Sequence, residues 1–136
     1  TGIVHRYTDF DFHPSNFLFA GILELSAVPW EPVDPLDPDS LVTSRFSWTS
    51  VGDLDYLTTP GESFPSFAYK AASILETAGR DNAVVLGLAQ DWMGYLMLEE
   101  QWPQENLSYY RSLSPGPEVA PAYLQRLTEM ALALQP

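Results

Sequence analysis

The chain has 136 residues, of which 46% are hydrophobic, and this is enough to bury one core, so we expect residues 1–136 to form a single domain or part of one. The formal net charge of −12 would repel a phosphate backbone or an anionic membrane, which argues against nucleic acid as a partner. The absence of cysteine excludes disulfides and thiolate metal sites. No apolar run reaches membrane-spanning length, so we predict a soluble chain without a transmembrane segment, either secreted or cytoplasmic.

The first forty residues predict two strands and a loop. Residues Val4–His13 alternate in polarity as a half-buried strand does, and the apolar run Asn16–Val28 is typical of a buried strand. The segment Pro29–Ser40 has proline at every third position and several aspartates. That spacing is incompatible with a helix or a central strand, so we predict that residues 29–40 form an exposed Pro/Asp-rich loop.

The middle of the chain predicts a β-hairpin followed by a helix. Segments Ser40–Ser50 and Asp53–Thr59 have strand composition and are joined across Val51-Gly52. After Pro60-Gly61, apolar residues recur at helical spacing up to Gly79, which ends the pattern, and Ser63 is the predicted N-cap.

A short apolar strand, Asn82–Gln90, and a C-terminal helix, Pro117–Leu134, complete the pattern. We predict an α/β fold: a mixed sheet with a β-hairpin, a βαβ-like unit and a C-terminal helix, forming an incomplete part of a larger α/β hydrolase domain. The first helix should pack on the strand Ala83–Leu88. Phe67, Ile74 and Val85 should be buried there, and the predicted apolar stripe of the last helix is Val119, Tyr123, Leu127, Met130 and Leu134.

Three short motifs, in this order, carry a family resemblance: "PGESFP" before the first helix, "VVLGLAQDWMGYLMLEEQW" after it, and "YYRSLSP" further on. Together they resemble the C-terminal portion of the neutral/alkaline non-lysosomal ceramidases and their bacterial relatives. The resemblance covers Ser40 to the end of the chain. It implies a zinc-dependent amidohydrolase acting on the N-acyl amide of ceramide or a related lipid.

The resemblance also implies roles for particular residues. Glu62 and Tyr95 match the glutamate and tyrosine that bind zinc in that family. Tyr110 or its neighbour Tyr109 matches the tyrosine that stabilises the oxyanion at the scissile amide. We expect the Glu62 carboxylate and the Tyr95 hydroxyl to converge at neighbouring strand ends, within reach of one ion.

The match to the family is incomplete. Gln90, Trp92 and Arg111 stand where the family usually has asparagine, tyrosine and glutamate. The histidine ligands and the serine of the family lie upstream of any motif in this chain. A catalytic zinc site needs three protein ligands and an open position, whereas Glu62 and Tyr95 provide two. We therefore expect the isolated chain to be inactive and its partner to be the N-terminal remainder of the parent hydrolase.

The same residues also have structural interpretations. Glu62 beside a helix start is stabilised by the helix dipole without any metal, and the three tyrosines could be packing residues. His5 and His13, with Asp9 or Asp11, could bind a metal, although histidines hydrogen-bonded within a strand are more common. Glu99 and Glu100 are expected to form a solvated helix start. Trp92, Trp102, Tyr95 and Phe64 could line a groove for an acyl chain or belong to the core.

Two functions from other classes remain open at this point. A free amino-terminal threonine can act as a nucleophile with its own amine as base, and Thr1 is the first residue of this sequence. The strongly acidic composition also fits a non-enzymatic binding domain. The termini of the natural protein would discriminate, because upstream histidines in a longer parent favour the zinc hydrolase.

Overall fold

A computed structural model of the chain describes residues 2–16, 36–37 and 39–134. Most of the predicted strand at 16–28 and of the predicted loop at 29–40 lies outside these residues. In the described part, four strands form a mixed sheet in the order β1-β2-β3-β5, and two short strands, β4 and β6, form a separate pair. The elements are β1 (Ile3–Phe12), β2 (Val42–Val51), β3 (Leu54–Thr58), β4 (Glu62–Ser63), α1 (Pro65–Thr77), β5 (Ala83–Leu86), β6 (Tyr95–Leu96), two 3-10 turns (Glu99–Gln101 and Glu105–Leu107), α2 (Ser108–Ser112) and α3 (Val119–Leu132).

The predicted hairpin is confirmed in β2 and β3. These strands pair antiparallel with Val51 opposite Leu54, so the turn consists of Gly52 and Asp53. Gly52 has φ +64°, a left-handed conformation that glycine adopts without steric cost. On its other side β2 pairs antiparallel with β1 along ten residues. The two long strands and the hairpin therefore make the antiparallel part of the sheet.

The predicted βαβ-like unit is formed by β3, α1 and β5. Strands β3 and β5 pair in parallel, with Asp55 opposite Ala83 and Thr58 opposite Leu86. Strand β5 is shorter than predicted because the chain turns after Leu86: Leu88 and Gln90 both have positive φ, at 53° and 82°. The fold is thus the predicted mixed α/β arrangement with a shortened parallel edge.

The N-cap of helix α1 lies one residue later than predicted, at Phe64. Phe64, in an extended conformation, precedes Pro65 at the first helical position. Ser63 is therefore not the N-cap: it ends β4, and its hydroxyl lies 2.7 Å from that of Thr59. At the other end the prediction is confirmed, because Gly79 follows the helix with φ +72°.

The core lies between the sheet and helices α1 and α3. Tyr123 of α3 is fully buried, its ring centroid is 4.3 Å from that of Phe46, and its hydroxyl donates a hydrogen bond of 2.9 Å to the Thr58 carbonyl. Burial of an aromatic ring with its hydroxyl satisfied is strongly stabilising. The largest side chains without solvent exposure include Trp48, Tyr123, Phe46, Phe67, Leu57, Leu75 and Leu127.

Three burial predictions need correction. Phe67 is buried as expected, but Ile74 and Val85 are only half-buried, because β5 is an edge strand and leaves that side of the core partly open. In α3, Val119, Tyr123 and Leu127 are buried and Met130 is half-buried. Leu134 lies beyond the end of α3 and is 39% exposed.

Asp55 was not singled out by the sequence, yet its carboxylate is completely buried. It accepts hydrogen bonds from Trp48 Nε1 at 2.7 Å and Ser50 Oγ at 2.5 Å, and it pairs with Arg80 Nε at 2.6 Å. Burial opposes its ionisation, but the hydrogen bonds from Arg80, Ser50 and Trp48 outweigh burial and lower the pKa of Asp55. This network ties the segment after α1 to the hairpin.

No helix in the described part of the chain is both long enough and apolar enough to cross a lipid bilayer.

Candidate functional site

Glu62 and Tyr95 are direct neighbours on two short parallel strands. In the β4–β6 pair, Glu62 lies opposite Tyr95 and Ser63 opposite Leu96. Residues opposite each other in a ladder project to the same face. Glu62 is exposed and its side chain has no hydrogen bond or ion pair to the described residues, while Tyr95 is half-buried. The structure thus brings a carboxylate with no described partner and a phenol together on one surface.

Two glycines allow these strands to approach so closely. Gly61 precedes Glu62, and a Cβ added to it would lie 2.5 Å from the Gly94 carbonyl oxygen and 2.9 Å from Leu96 Cγ. Real Cβ atoms do not come within 3.0 Å of such neighbours. The same carbonyl of Gly94 accepts a hydrogen bond of 2.8 Å from the Glu62 N–H. Only glycine at position 61 permits this backbone contact.

A buried threonine side chain contacts the turn that carries Glu62 and holds it in place. Thr59 is fully buried, and its hydroxyl lies 3.1 Å from the Gly61 carbonyl and 2.7 Å from the Ser63 hydroxyl. The hydroxyl therefore bridges the residues on both sides of Glu62. Such satisfied polar contacts restrict the backbone of the turn.

The segment after β5 forms backbone hydrogen bonds to the same turn. The Leu88 N–H donates to the Gly61 carbonyl at 3.0 Å, and the Met93 N–H donates to the Pro60 carbonyl at 2.7 Å. Gln90, which departs from the family pattern, accepts a hydrogen bond of 3.1 Å from the Thr58 hydroxyl. The loop between β5 and β6 thus anchors the Pro-Gly-Glu turn along its backbone.

Tyr109 and Tyr110, on the short helix α2, pack against Tyr95. The Tyr95 ring centroid lies 4.9 Å from that of Tyr110 and 6.2 Å from that of Tyr109, and Phe64 contacts Tyr110 edge to face at 5.0 Å. We call Phe64, Tyr95, Tyr109 and Tyr110 the aromatic cluster. Its rings meet at steep angles, the favourable geometry for aromatic pairs. Tyr109 is 61% exposed, whereas Tyr110 is half-buried.

Backbone contacts fix α2 relative to β6. The Tyr95 N–H donates to the Leu113 carbonyl at 3.1 Å. Gly94 has φ +67°, and a Cβ added there would overlap the Leu113 carbonyl oxygen far inside van der Waals contact. The helix carrying the two tyrosines can therefore lie against β6 only because position 94 has no side chain.

Asn16 holds the C-terminal end of α2, and Arg111 connects this helix to the preceding turn. No local sequence pattern predicts either role. The Asn16 side-chain amide donates to the carbonyls of Arg111 at 2.8 Å and Ser114 at 2.6 Å. The Arg111 guanidinium donates to the Trp102 carbonyl at 2.7 Å and to the Gln104 carbonyl. Arg111, which stands where the family commonly has glutamate, acts here on the backbone of the preceding turn.

The surroundings of Tyr95 favour the neutral form of its phenol. Partial burial raises its pKa, and the negative charge of Glu62 and the neighbouring Tyr109 and Tyr110 raise it further. Carboxylate and phenolate would repel each other at this spacing. A cation beside both oxygens would reverse the effect by favouring the charged form of each.

The two residues fit part of a metal site. A carboxylate oxygen is a usual zinc ligand, and the exposed Glu62 lies opposite Tyr95, whose phenol oxygen is the second candidate donor. Within residues 2–16, 36–37 and 39–134, no group of three or more histidine, cysteine, aspartate or glutamate side chains could hold an ion. Beside Glu62 and Tyr95, the described residues therefore provide no third ligand from histidine, cysteine, aspartate or glutamate, and the two oxygen donors stand without it.

The other metal hypothesis is not supported by the histidine contacts. His5 Nδ1 lies 2.8 Å from the Thr49 hydroxyl, and His13 Nδ1 lies 3.1 Å from the Ser40 carbonyl. Asp9 pairs with Arg45 at 2.6 Å. Both imidazoles therefore have protein hydrogen-bond partners, but these lie 44 and 27 residues away in sequence and are not the local partners that the structural interpretation predicts. Thr1, on which the amino-terminal nucleophile depends, lies outside the described residues.

Four other residues considered in the sequence have mixed outcomes. Glu99 and Glu100 are exposed in a 3-10 turn, as expected. Trp92 is 65% exposed and Trp102 half-buried. Among the described rings, neither tryptophan contacts the aromatic cluster, so the acyl-chain groove remains a prediction.

The fold is similar to part of two solved ceramidase structures. The chain superimposes on neutral ceramidase from Pseudomonas aeruginosa with a TM-score of 0.67 and 18% sequence identity, over 99% of this chain and 29% of that chain. A ceramidase complexed with C2 matches with a TM-score of 0.54 and 25% identity, over 70% of this chain and 15% of that one. No family model matches the sequence, and no curated protein matches it significantly.

These similarities confirm the predicted resemblance to ceramidases at the level of the fold. At 18% identity the first superposition shows a shared fold and nothing about substrate. The chain spans less than a third of the neutral ceramidase chain. Its fold is ceramidase-like, and the predicted site residues Glu62, Tyr95, Tyr109 and Tyr110 lie together in it.

Proposed function

We propose that this chain is the C-terminal part of the catalytic domain of a zinc-dependent amidohydrolase, and that Glu62 and Tyr95 are two of its zinc ligands. The observation that supports the proposal is the register of β4 and β6, in which Glu62 is opposite Tyr95, together with a Glu62 carboxylate that has no hydrogen bond or ion pair to the described residues. A carboxylate that only stabilises the start of a helix needs no such neighbour.

The residues of this chain would contribute binding and positioning. A bound zinc ion supplies Lewis acidity toward a carbonyl oxygen and lowers the pKa of a water molecule. Glu62 and Tyr95 would hold the ion, and the glycine contacts beneath them would fix their spacing. The hydroxyl of Tyr110 or Tyr109 would donate a hydrogen bond to the oxyanion formed at the amide carbon. Tyr109, being largely exposed, is accessible to a substrate, while Tyr110 packs between Phe64 and Tyr95.

The remaining ligands would come from the N-terminal remainder of the parent hydrolase. A catalytic zinc site has three protein ligands and one open position, so two oxygen donors are insufficient. The substrate would be an N-acyl amide, with ceramide or a related lipid as the class that the resemblance implies. Accordingly, the isolated 136-residue chain should bind zinc weakly and hydrolyse no N-acyl amide.

The proposal is tested by changing Glu62 to glutamine in the full-length natural protein that contains this chain. The substitution removes a charge and a strong donor with little change in shape, so zinc content and hydrolysis of a short-chain ceramide should each fall at least about tenfold. Glu99→Gln is the matched control, because Glu99 is an exposed glutamate outside the site. Unchanged zinc content and rate in Glu62→Gln would show that Glu62 has only a structural role.

A further inference from the structure

One face of the four-stranded sheet is not covered by any element of the described part of the chain. Helices α1 and α3 pack on the inner face, which presents Phe46, Trp48 and Leu57. Alternate residues of every strand project to the opposite side, here called the outer face. Its large exposed apolar side chains are Ile3, Tyr7, Val51, Leu54, Val84 and Leu86.

The parallel edge of the sheet is the most unusual part of this surface. Strand β5 has the sequence Ala-Val-Val-Leu and pairs in parallel with β3. Parallel strands are normally covered on both faces, and a continuous apolar run is their sequence pattern. Yet Val84 is 40% and Leu86 42% exposed. The composition of β5 thus indicates a second covering layer.

The apolar part of the outer face has a defined border. Toward the end of β1, the exposed residues become polar: Asp9 pairs with Arg45 at 2.6 Å, and Asp11 accepts a hydrogen bond of 2.6 Å from Thr43. The other apolar side chains occupy the hairpin end and the β5 edge, whereas Tyr7 lies in the polar part of the face, opposite Ser47 and with the Arg45 guanidinium 4.7 Å from its ring centroid. A contiguous exposed apolar area with a polar rim is the usual sign of an interaction surface.

The dimensions of the face suit a pair of helices. Four strands spaced about 4.8 Å apart give a width of about 15–20 Å, and a helix with its side chains is about 10 Å across. The inner face of the same sheet indeed carries two helices. In addition, the neutral ceramidase chain that shares this fold is more than three times longer than the part matched here, since the match covers 29% of it.

We infer that the outer face is the docking surface for an apolar helical layer contributed by the rest of the hydrolase polypeptide, outside residues 1–136. The inference rests on the proposed function in one respect, which is that the chain belongs to a larger hydrolase. It specifies which surface that larger part covers, namely the outer face of the four-stranded sheet, in addition to the separate β4–β6 pair that carries Glu62 and Tyr95.

The absence of cysteine from residues 1–136 permits a direct test. Tyr7→Cys and Leu86→Cys place single thiols on the outer face, and Tyr69→Cys places a control thiol on α1, where Tyr69 is 77% exposed. The full-length natural protein carrying each substitution is treated with a maleimide, and labelling of the engineered position is followed by peptide mass spectrometry. Each rate is compared with that of the same variant in urea.

Docking predicts that the thiols at positions 7 and 86 react at least about tenfold more slowly in the native protein than in urea, while the thiol at position 69 stays reactive. Rates at 7 and 86 within about twofold of the denatured rates would overturn the inference. Protection at 7 and 86 that disappears on dilution would overturn it too, because a second copy would then be the cover.

A benzophenone maleimide at position 86 identifies the cover. Cross-links to sequence outside residues 1–136 support the inference, and cross-links to residues 17–35 overturn it. Neither labelling nor cross-linking depends on metal or turnover. Unprotected thiols on the outer face would therefore leave the zinc proposal intact. Conversely, unchanged zinc content in Glu62→Gln would not affect whether the outer face is protected.

Discussion

Replacing Gly94 by alanine should destabilise the chain much more than replacing Gly79, although both glycines have positive φ. Gly94 has φ +67° and Gly79 has φ +72°, so the backbone strain of an alanine is nearly the same at the two positions. Their surroundings differ. An added Cβ at Gly79 would meet nothing within 4 Å, whereas at Gly94 it would overlap the Leu113 carbonyl.

The magnitude follows from these contacts. A left-handed conformation costs a residue with a side chain about 1–2 kcal/mol, which is the whole effect expected at Gly79. At Gly94 the overlap forces β6 away from Leu113 and β4, so the hydrogen bonds of the Tyr95 N–H at 3.1 Å and the Glu62 N–H at 2.8 Å are also weakened. Each bond contributes about 1 kcal/mol, which gives a total of about 3–4 kcal/mol.

Urea unfolding of the two variants measures this difference. We expect Gly94→Ala to lose about 2 kcal/mol more than Gly79→Ala, or about 6–8 °C in melting temperature for a chain of this size. Equal losses in the two variants would refute the claim that the backbone contact between Gly94 and Leu113 positions the tyrosine helix. In the full-length protein, Gly94→Ala should also lower amide hydrolysis, because Tyr95 would shift relative to Glu62.

Three further predictions concern the residues that the sequence did not reveal. Asp55→Asn should cost about 3 kcal/mol in urea unfolding, because Arg80 loses its buried partner, whereas Asp53→Asn, at an exposed position, should change stability by less than about 0.5 kcal/mol. Because the folded-state pKa of Asp55 is lowered, its contribution is present above the ordinary carboxyl pKa and disappears as pH falls through the folded value. The stability difference between wild type and Asp55→Asn should therefore be largest near neutral pH and shrink below about pH 4; a constant difference would contradict the assignment. Asn16→Ala should cost about 1–2 kcal/mol, since the carbonyls of Arg111 and Ser114 lose a donor, and an unchanged urea midpoint would show that water replaces the amide.

Local sequence patterns predicted the elements of the fold well. The alternation before and after Val51-Gly52 predicted the hairpin, and helical spacing from Phe64 to Gly79 predicted α1. The wrong predictions concern the ends of elements and the burial of Ile74, Val85 and Leu134. A serine just before a helical pattern predicts an N-cap at Ser63, but the Ser63 hydroxyl instead contacts the hydroxyl of the buried Thr59. Such a contact has no local signature.

Sequence patterns predict only part of the candidate site, because only some of its residues belong to a local motif. Glu62 and Tyr95 were identified from short motifs, and the structure places them opposite each other across the β4–β6 pair. The parts that hold them depend on long-range contacts: Gly94 against Leu113, Asn16 against the end of α2, and Asp55 against Arg80. Sequence separations of this size leave no periodicity to read.

The most direct measurement of the central claim is an anomalous difference map at the zinc absorption edge, from crystals of the full-length natural protein. We expect one strong peak about 2.0–2.2 Å from both a Glu62 carboxylate oxygen and the Tyr95 hydroxyl oxygen, with further ligands from outside this chain. A fully occupied zinc site elsewhere in the protein, or no peak between Glu62 and Tyr95 in crystals grown with zinc, would contradict it.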